Sequence, residues 1–240
     1  DTDCESGACE DQSTWGPPGQ YVTIYGTNFG TAEGSVFLES STLGYTALGD
    51  TVFPEACGED FWHDTYITIK IPEAYQNDEV MVALTHDLSI ERQDGVSSDS
   101  TSLVVLDDTP GPSICDVDPS AGPVGTEVTI YGENFGDSDG DVEFYSELSA
   151  VYTLWENDQI STAVVPDGSV TGPLYVIESE DSFSSNSMNF EVGDCNEDAD
   201  LCETTETCCT DGSCTSSTCE EEEVTEAHYA FMVSTGTIPN

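Results

Sequence analysis

Cysteines are the most chemically suggestive residues of this 240-residue chain. Six of the ten, Cys195, Cys202, Cys208, Cys209, Cys214 and Cys219, fall within 25 residues, spaced C-x6-C-x5-C-C-x4-C-x4-C. Clustered, even-numbered cysteines in an acidic chain read as disulfides formed in an oxidising compartment. Paired thiolates also suit Zn²⁺, the competing chemistry for the same residues. Cys4, Cys9, Cys57 and Cys115 remain. They allow either a Cys9–Cys57 bridge, leaving Cys4 and Cys115, or Cys4–Cys9 with Cys57–Cys115, and either set can include an intermolecular bond. No Cys-x-x-Cys-His is present, so covalent c-type haem is not expected.

Other reactive groups carry weaker signals. Asp137, Asp139 and Asp141 sit in a loop dense in hard oxygen ligands, as Ca²⁺ prefers, and residues 194–200 are similar. Neither segment completes an EF-hand. No cofactor is required, and calcium is the one candidate. His63, His86 and His228 are the histidines, and Asp64 follows the first. No Gly-x-Ser-x-Gly accompanies them, so catalysis is not expected. Trp15, Tyr45, Phe61, Trp62 and Trp155 are available to stack on sugars, which makes glycans a candidate partner. Trp62 and Trp155 recur at matching places, which favours a structural role for that pair.

The elements that position these groups come from an internal repeat. Residues 16–30, GPPGQYVTIYGTNFG, align with residues 122–136, GPVGTEVTIYGENFG, at an offset of 106. Cys9 and Cys115 keep that offset. Trp62 precedes ITIKIP and Trp155 precedes ISTAVVP, with a shorter spacing in the second copy. The first copy therefore carries an insertion, roughly 47–59, that contains Cys57. Val22–Tyr25, Ile67–Ile71 and Val80–Leu84 read as short strands, β-branched and bounded by Gly, Pro, Asn and Asp. No stretch has helical periodicity. The expected fold is all-β, two tandem sandwiches.

The repeated Gly-Pro-x-Gly-x-x-Val-Thr-Ile-x-Gly-x-Asn-Phe-Gly resembles the opening of IPT/TIG domains. That resemblance implies immunoglobulin-like sandwiches at 14–108 and 109–193, with Phe29 and Phe135 capping the cores. The family includes receptor ectodomains, Rel-type transcription factors and bacterial surface proteins, so it does not fix function. The cysteine spacing at 194–220 resembles the inhibitor cystine knot. By that likeness Cys195 pairs with Cys209, Cys202 with Cys214 and Cys208 with Cys219.

Two mismatches remain. The stretch before the second motif, ICDVDP, reads as a first strand, whereas its counterpart ACEDQS in segment 1–13 has lost its apolar positions. In the tail, 221–240, Tyr229, Phe231 and Val233 share one face of a strand, and Ala230 and Met232 the other. A spare strand and an incomplete sandwich suggest β-strand donation, and so a head-to-tail filament of this chain with itself. The tail can instead fold back on its own chain or link to a further domain. The rival function is a monomeric adhesion or glycan-binding segment of a larger surface protein.

Charge sets the outer limits. Two basic residues against 49 acidic ones give −47. Nucleic acid and anionic membranes are excluded as partners. No apolar run is long enough for a membrane span, so no membrane insertion is expected. The chain opens at Asp1-Thr2-Asp3-Cys4, which reads as a mature chain after processing, or one lacking its leader, and a secreted or surface location is expected.

Overall fold

The computed structural model describes residues 14–59, 61–179 and 183–193, with two short strands beyond them. The first sandwich holds β1 (Thr14–Gly16), β2 (Tyr21–Tyr25), β3 (Ser35–Ser40), β4 (Tyr45–Leu48), β5 (Tyr66–Lys70), β6 (Thr85–Glu91) and β7 (Thr101–Val105). One layer is the sheet β1-β7-β6-β3-β4, and the other is the ribbon β2-β5. The second holds β8 (Ser113–Asp118), β9 (Ala121–Gly122), β10 (Glu127–Glu133), β11 (Asp141–Phe144), β12 (Leu148–Ser149), β13 (Leu154–Trp155), β14 (Gln159–Val164), β15 (Gly172–Ile177) and β16 (Met188–Val192). Its layers are β13-β14-β10-β8 and β12-β11-β15-β16-β9. Beyond them β17 (Thr207–Cys208) pairs antiparallel with β18 (Cys214–Thr215).

Alternation builds both cores. Val22 and Ile24 on β2, with Ile67 and Ile69 on β5, face Val36, Leu38, Leu88, Ile90, Leu103 and Val105 across the first sandwich. Val128, Ile130, Ile160 and Ala163 do the same against Val142, Phe144, Leu174, Val176 and Phe190 in the second. Each such buried aliphatic side chain stabilises by roughly 1.5–3 kcal/mol. Phe29 and Phe135 lie in these cores, as the repeat implied.

The shared motif ends each first long strand with a left-handed turn. Asn28 and Asn134 have φ of 64° and 62°, and Gly30 and Gly136 follow at 77° and 86°. Asn tolerates this region better than other side chains. A Cβ at Gly34 would strike the Glu91 carbonyl and Trp62, and one at Gly140 the Ile177 carbonyl and Trp155. Those tryptophans donate from Nε1 to Phe29 O at 3.3 Å and to Phe135 O at 3.2 Å. The motif is thus a packing device: glycine clears a floor on which tryptophan locks the turn.

Two sequence expectations are corrected. Val80–Leu84 is no strand, since Val80 and Val82 are 73% and 44% exposed and the strand starts at Thr85. His86, an inward residue of β6, hid the true alternation. Its ring bonds Tyr75 Oη at 2.7 Å and Leu84 O at 3.0 Å, so a polar residue sits in an apolar position. Ala47 belongs to β4 and is fully buried, so the insertion begins only after Leu48. It carries a 3₁₀ turn over Glu55–Cys57.

Candidate functional site

The two sandwiches meet along a seam, and its first half is the ribbon β2-β5. Register places Tyr21 opposite Lys70, Thr23 opposite Thr68 and Tyr25 opposite Tyr66. Cross-strand partners share a face, so these six point away from the first core. All face the second sandwich.

Four sets of contacts hold the seam. Gln20 Nε2 donates to Pro112 O at 2.9 Å and to Ser113 Oγ at 2.8 Å, while Gly111 N donates to Gln20 Oε1 at 2.7 Å. One buried amide thus fixes the linker. Asn186 Nδ2 donates to Thr23 Oγ1 at 2.9 Å and Ile114 O at 2.8 Å, and its Oδ1 accepts from Ile114 N at 2.8 Å. Tyr25 Oη donates to Ser187 O at 3.1 Å. Tyr66 packs on the edge of the second core.

The third set is charged. Glu133 accepts from Lys70 Nζ at 3.0 Å and from the Tyr21 hydroxyl. The ammonium lies 5.0 Å from the centre of the Tyr21 ring and 5.9 Å from that of Phe53. Burial, then the Glu133 bond and charge, push the Tyr21 hydroxyl well above its usual range. It therefore stays protonated and donating. One of the chain's two cations is spent joining the sandwiches. The other, Arg92, pairs with Asp94 at 2.9 Å and donates to Asn28 O at 3.3 Å.

The fourth is covalent. Cys57 and Cys115 form a disulfide with Cα atoms 5.5 Å apart. Both are buried against Tyr21, with Phe53 and Tyr131 alongside. Of the two pairings open from sequence, Cys9–Cys57 is ruled out, because Cys57 is joined to Cys115. The insertion of the first sandwich is thus a strap pinned to the first strand of the second.

Other expected residues fall elsewhere. Asp137, Asp139 and Asp141 are exposed in and beside the β10–β11 turn, where Tyr152 Oη donates to Gly140 O at 2.7 Å. Among the described residues no three His, Cys, Asp or Glu side chains gather to hold a metal. His63 stacks on Tyr66, and His86 is buried with its ring bonded to Tyr75 Oη. Of the aromatics proposed for sugars, Trp62 is buried and Tyr45, Phe61 and Trp155 pack against the cores, while Trp15 is 55% exposed. Two open clefts of about 600 Å³ occur, one beside the seam with Asp50, Lys70 and Glu133, the other under the strap with Phe53, Phe61 and Trp62. Cys4, Cys9, Cys195, Cys202, Cys209 and Cys219, the side chains of Cys208 and Cys214, and the tail strand Tyr229–Val233 lie outside the described residues.

Sequence reasoning missed Gln20, Glu133 and Asn186. The one available signal was Lys70, one of only two basic residues, which closes β5.

Residues 112–192 match the IPT/TIG domain family, so the second sandwich is an IPT/TIG domain. No curated protein matches the chain. Among solved structures, SGBP-B from the mixed-linkage glucan utilization locus of Bacteroides ovatus, in complex with a mixed-linkage heptasaccharide, is 12% identical, with 78% of this chain and 45% of that one covered and a TM-score of 0.27. The surface glycan-binding protein PbSGBP-B of Prevotella bryantii is 16% identical over 74% and 38%, with a TM-score of 0.29. The extracellular region of plexin A4 is 12% identical over 75% and 24%, with a TM-score of 0.30. The chain spans less than half the length of each. Overlaps this loose carry no information about ligand.

Proposed function

We propose that this chain is a non-catalytic adhesion segment of a secreted or surface-exposed protein, whose two sandwiches act as one rigid body. The seam carries the rigid-body part of this reading. It combines a disulfide, a charged pair, the buried amide of Gln20 and the partly buried amide of Asn186, and the covalent tie opposes the relative motion expected of domains joined by a linker alone. A buried disulfide also favours an oxidising, extracytoplasmic setting. Among the described residues no helix is long and apolar enough to cross a membrane.

Small-angle scattering and rotational correlation times test the rigid body. Both sandwiches should tumble together with one correlation time. Independent tumbling of the two would overturn the reading.

The filament is the second reading, favoured by one observation. Among the described residues β2 pairs only with β5, whereas its counterpart β10 lies between β14 and β8. The expected donor tail and segment 1–13 lie outside the described residues. Electron microscopy separates the readings. Fibres that disappear when 224–240 are deleted would replace the adhesion segment with a polymer subunit.

A further inference from the structure

The outward face of the sheet β1-β7-β6-β3-β4 carries side chains that the fold does not need. Register arranges them in three rows across the strands. Trp15, Val104 and Thr85 form the first, Ser102, Asp87, Glu39 and Thr46 the second, and Ser89, Phe37 and Leu48 the third. Val36, Leu38, Leu88, Leu103 and Val105 point to the core, so these alternate positions point out. Trp15 is 55% and Leu48 42% exposed, and Phe37 and Val104 are partly so. A polar row with two carboxylates therefore lies between two rows that carry apolar surface.

Two features of this face cost stability. Glu39 stands directly opposite Asp87, both exposed. Like charges in facing positions destabilise a sheet. Trp15 also holds a large indole in water on a three-residue edge strand. The internal repeat supplies the control. By the repeat offset and the strand registers, Trp15, Phe37, Glu39 and Asp87 correspond to Ala121, Glu143, Tyr145 and Pro173 of the second sandwich. The same architecture there forms with no tryptophan and no opposed acids. Local choices that the fold does not require and that reduce stability mark functional sites.

We propose that this face binds a neutral polysaccharide chain. Carboxylates accept hydrogen bonds and donate none, so their partner must bring donors. Sugar hydroxyls bring donors without charge. The apolar C–H face of a pyranose stacks on an exposed indole or phenyl ring, as Trp15 and Phe37 allow. Trp15 and Phe37 are three strands and two rows apart, about 20 Å, which suits an oligosaccharide run better than a single sugar. The net charge of −47 and the carboxylates repel uronic, sulfated and sialylated glycans. A bound cation would need more oxygen ligands than this flat pair offers, and would leave Trp15 uncovered.

The ligand class rests on the adhesion reading, but its test does not use the seam. Scattering judges the rigid body and gel retardation judges this face, so the two fail separately. The protein is run through native gels containing hydroxyethylcellulose, galactomannan, polygalacturonate or chitosan. At least one neutral polymer should retard it, and polygalacturonate should not. Retardation should persist in about 0.5 M NaCl, where charge is screened within a few ångströms. Trp15→Ala should weaken it at least tenfold with unchanged circular dichroism, while Tyr145→Ala on the second sandwich changes nothing. Glu39→Gln with Asp87→Asn should weaken it several-fold while raising the unfolding midpoint, a pairing that a merely structural role would not produce. No retardation by either neutral polymer, retardation by chitosan alone that salt abolishes, or equal retardation of wild type and Trp15→Ala would each overturn the proposal.

Discussion

In the first sandwich, the outward side of the paired strands β2 and β5 is an interior. Thr68 is fully buried there and Thr23 hydrogen-bonds across the seam. In the second sandwich the matching positions on β10 and β14, Glu127, Thr129 and Ser161, are exposed or partly so. The core-facing halves of these strands are nearly the same sequence. Val22–Tyr25 and Val128–Tyr131 are even the same four residues, with Tyr21 giving way to Glu127, so one repeat serves two environments through what packs against its outward side, which is independent of its core side. The ends of the sandwiches differ in the same way. Asn186, the amide that crosses the seam, aligns with Asp99, where Ser98 and Ser185 mark the register by bonding Ile90 N and Val176 N alike.

The strap is the largest asymmetry, so removing it should have the largest effect. The Cys57–Cys115 bridge closes a loop with a sequence separation of 58. Loop-closure entropy for that length is worth about 4 kcal/mol. Cys57→Ser with Cys115→Ser should lose close to that in urea unfolding and free the sandwiches to tumble apart. A double variant that unfolds like wild type would mean the non-covalent seam suffices.

The tryptophan floor is the strongest symmetry. Gly34→Ala and Gly140→Ala each drive a Cβ into a backbone carbonyl and an indole, and neither carbonyl can step aside without opening its ladder. Each should cost about 3 kcal/mol, typical of overpacking a filled site. Chemical denaturation of the two variants checks this. A large loss at one glycine and none at the other would break the equivalence of the two copies.

These cases show why some of the structure was legible and some was not. Trp62 and Trp155 were visible because the repeat compares a position with itself and cancels everything accidental. Val22–Tyr25 and most of Ile67–Ile71 were visible because alternation needs no partner to be read; the second strand runs Tyr66–Lys70. Thr85–Glu91 was missed because a hydrogen-bonded His86 occupies a core position, which hydropathy cannot anticipate. The seam was missed because it joins residues far apart in the chain, 58 positions for Cys57 with Cys115, 63 for Lys70 with Glu133 and 92 for Gln20 with Pro112. Nothing local distinguishes such a glutamine from a solvated one. Cys57–Cys115 stayed one of two possibilities, since spacing alone does not choose between pairings.

Exchanging the aligned amide and acid tests the seam at single-atom scale. Asn186→Asp keeps the shape and removes both donors, to Thr23 Oγ1 and Ile114 O, and sets a carboxylate beside a carbonyl. The cost should be about 1–3 kcal/mol, the penalty for unpaired partly buried groups. Asp99→Asn at the exposed counterpart should change almost nothing. Thermal melting of the two variants gives the comparison, and equal effects would mean that Asn186 does not hold the seam.

The smallest expected effect separates the sandwiches by pH. His86 is buried in the first, and the aligned residue of the second is Gly172, which cannot titrate. Burial lowers the His86 pKa from its ordinary 6.5, opposed in part by the Leu84 carbonyl and the Asp87 charge. In the unfolded chain the same imidazole protonates near 6.5. The unfolded state therefore binds the extra proton first as pH falls, and stability rises with pH across that interval. The His86 contribution is complete above 6.5 and is lost as pH drops from there towards the folded value. Protection factors in β6 and β7, taken relative to the base-catalysed intrinsic exchange rate at each pH, should fall as pH drops through this window, while those in β15 and β16 hold. His86→Gln should remove the difference, because glutamine keeps a donor and an acceptor near Tyr75 but takes up no proton. Identical pH slopes in the two sandwiches of the wild type would show that His86 keeps its ordinary affinity for protons, and that its place in the core imposes no electrostatic cost.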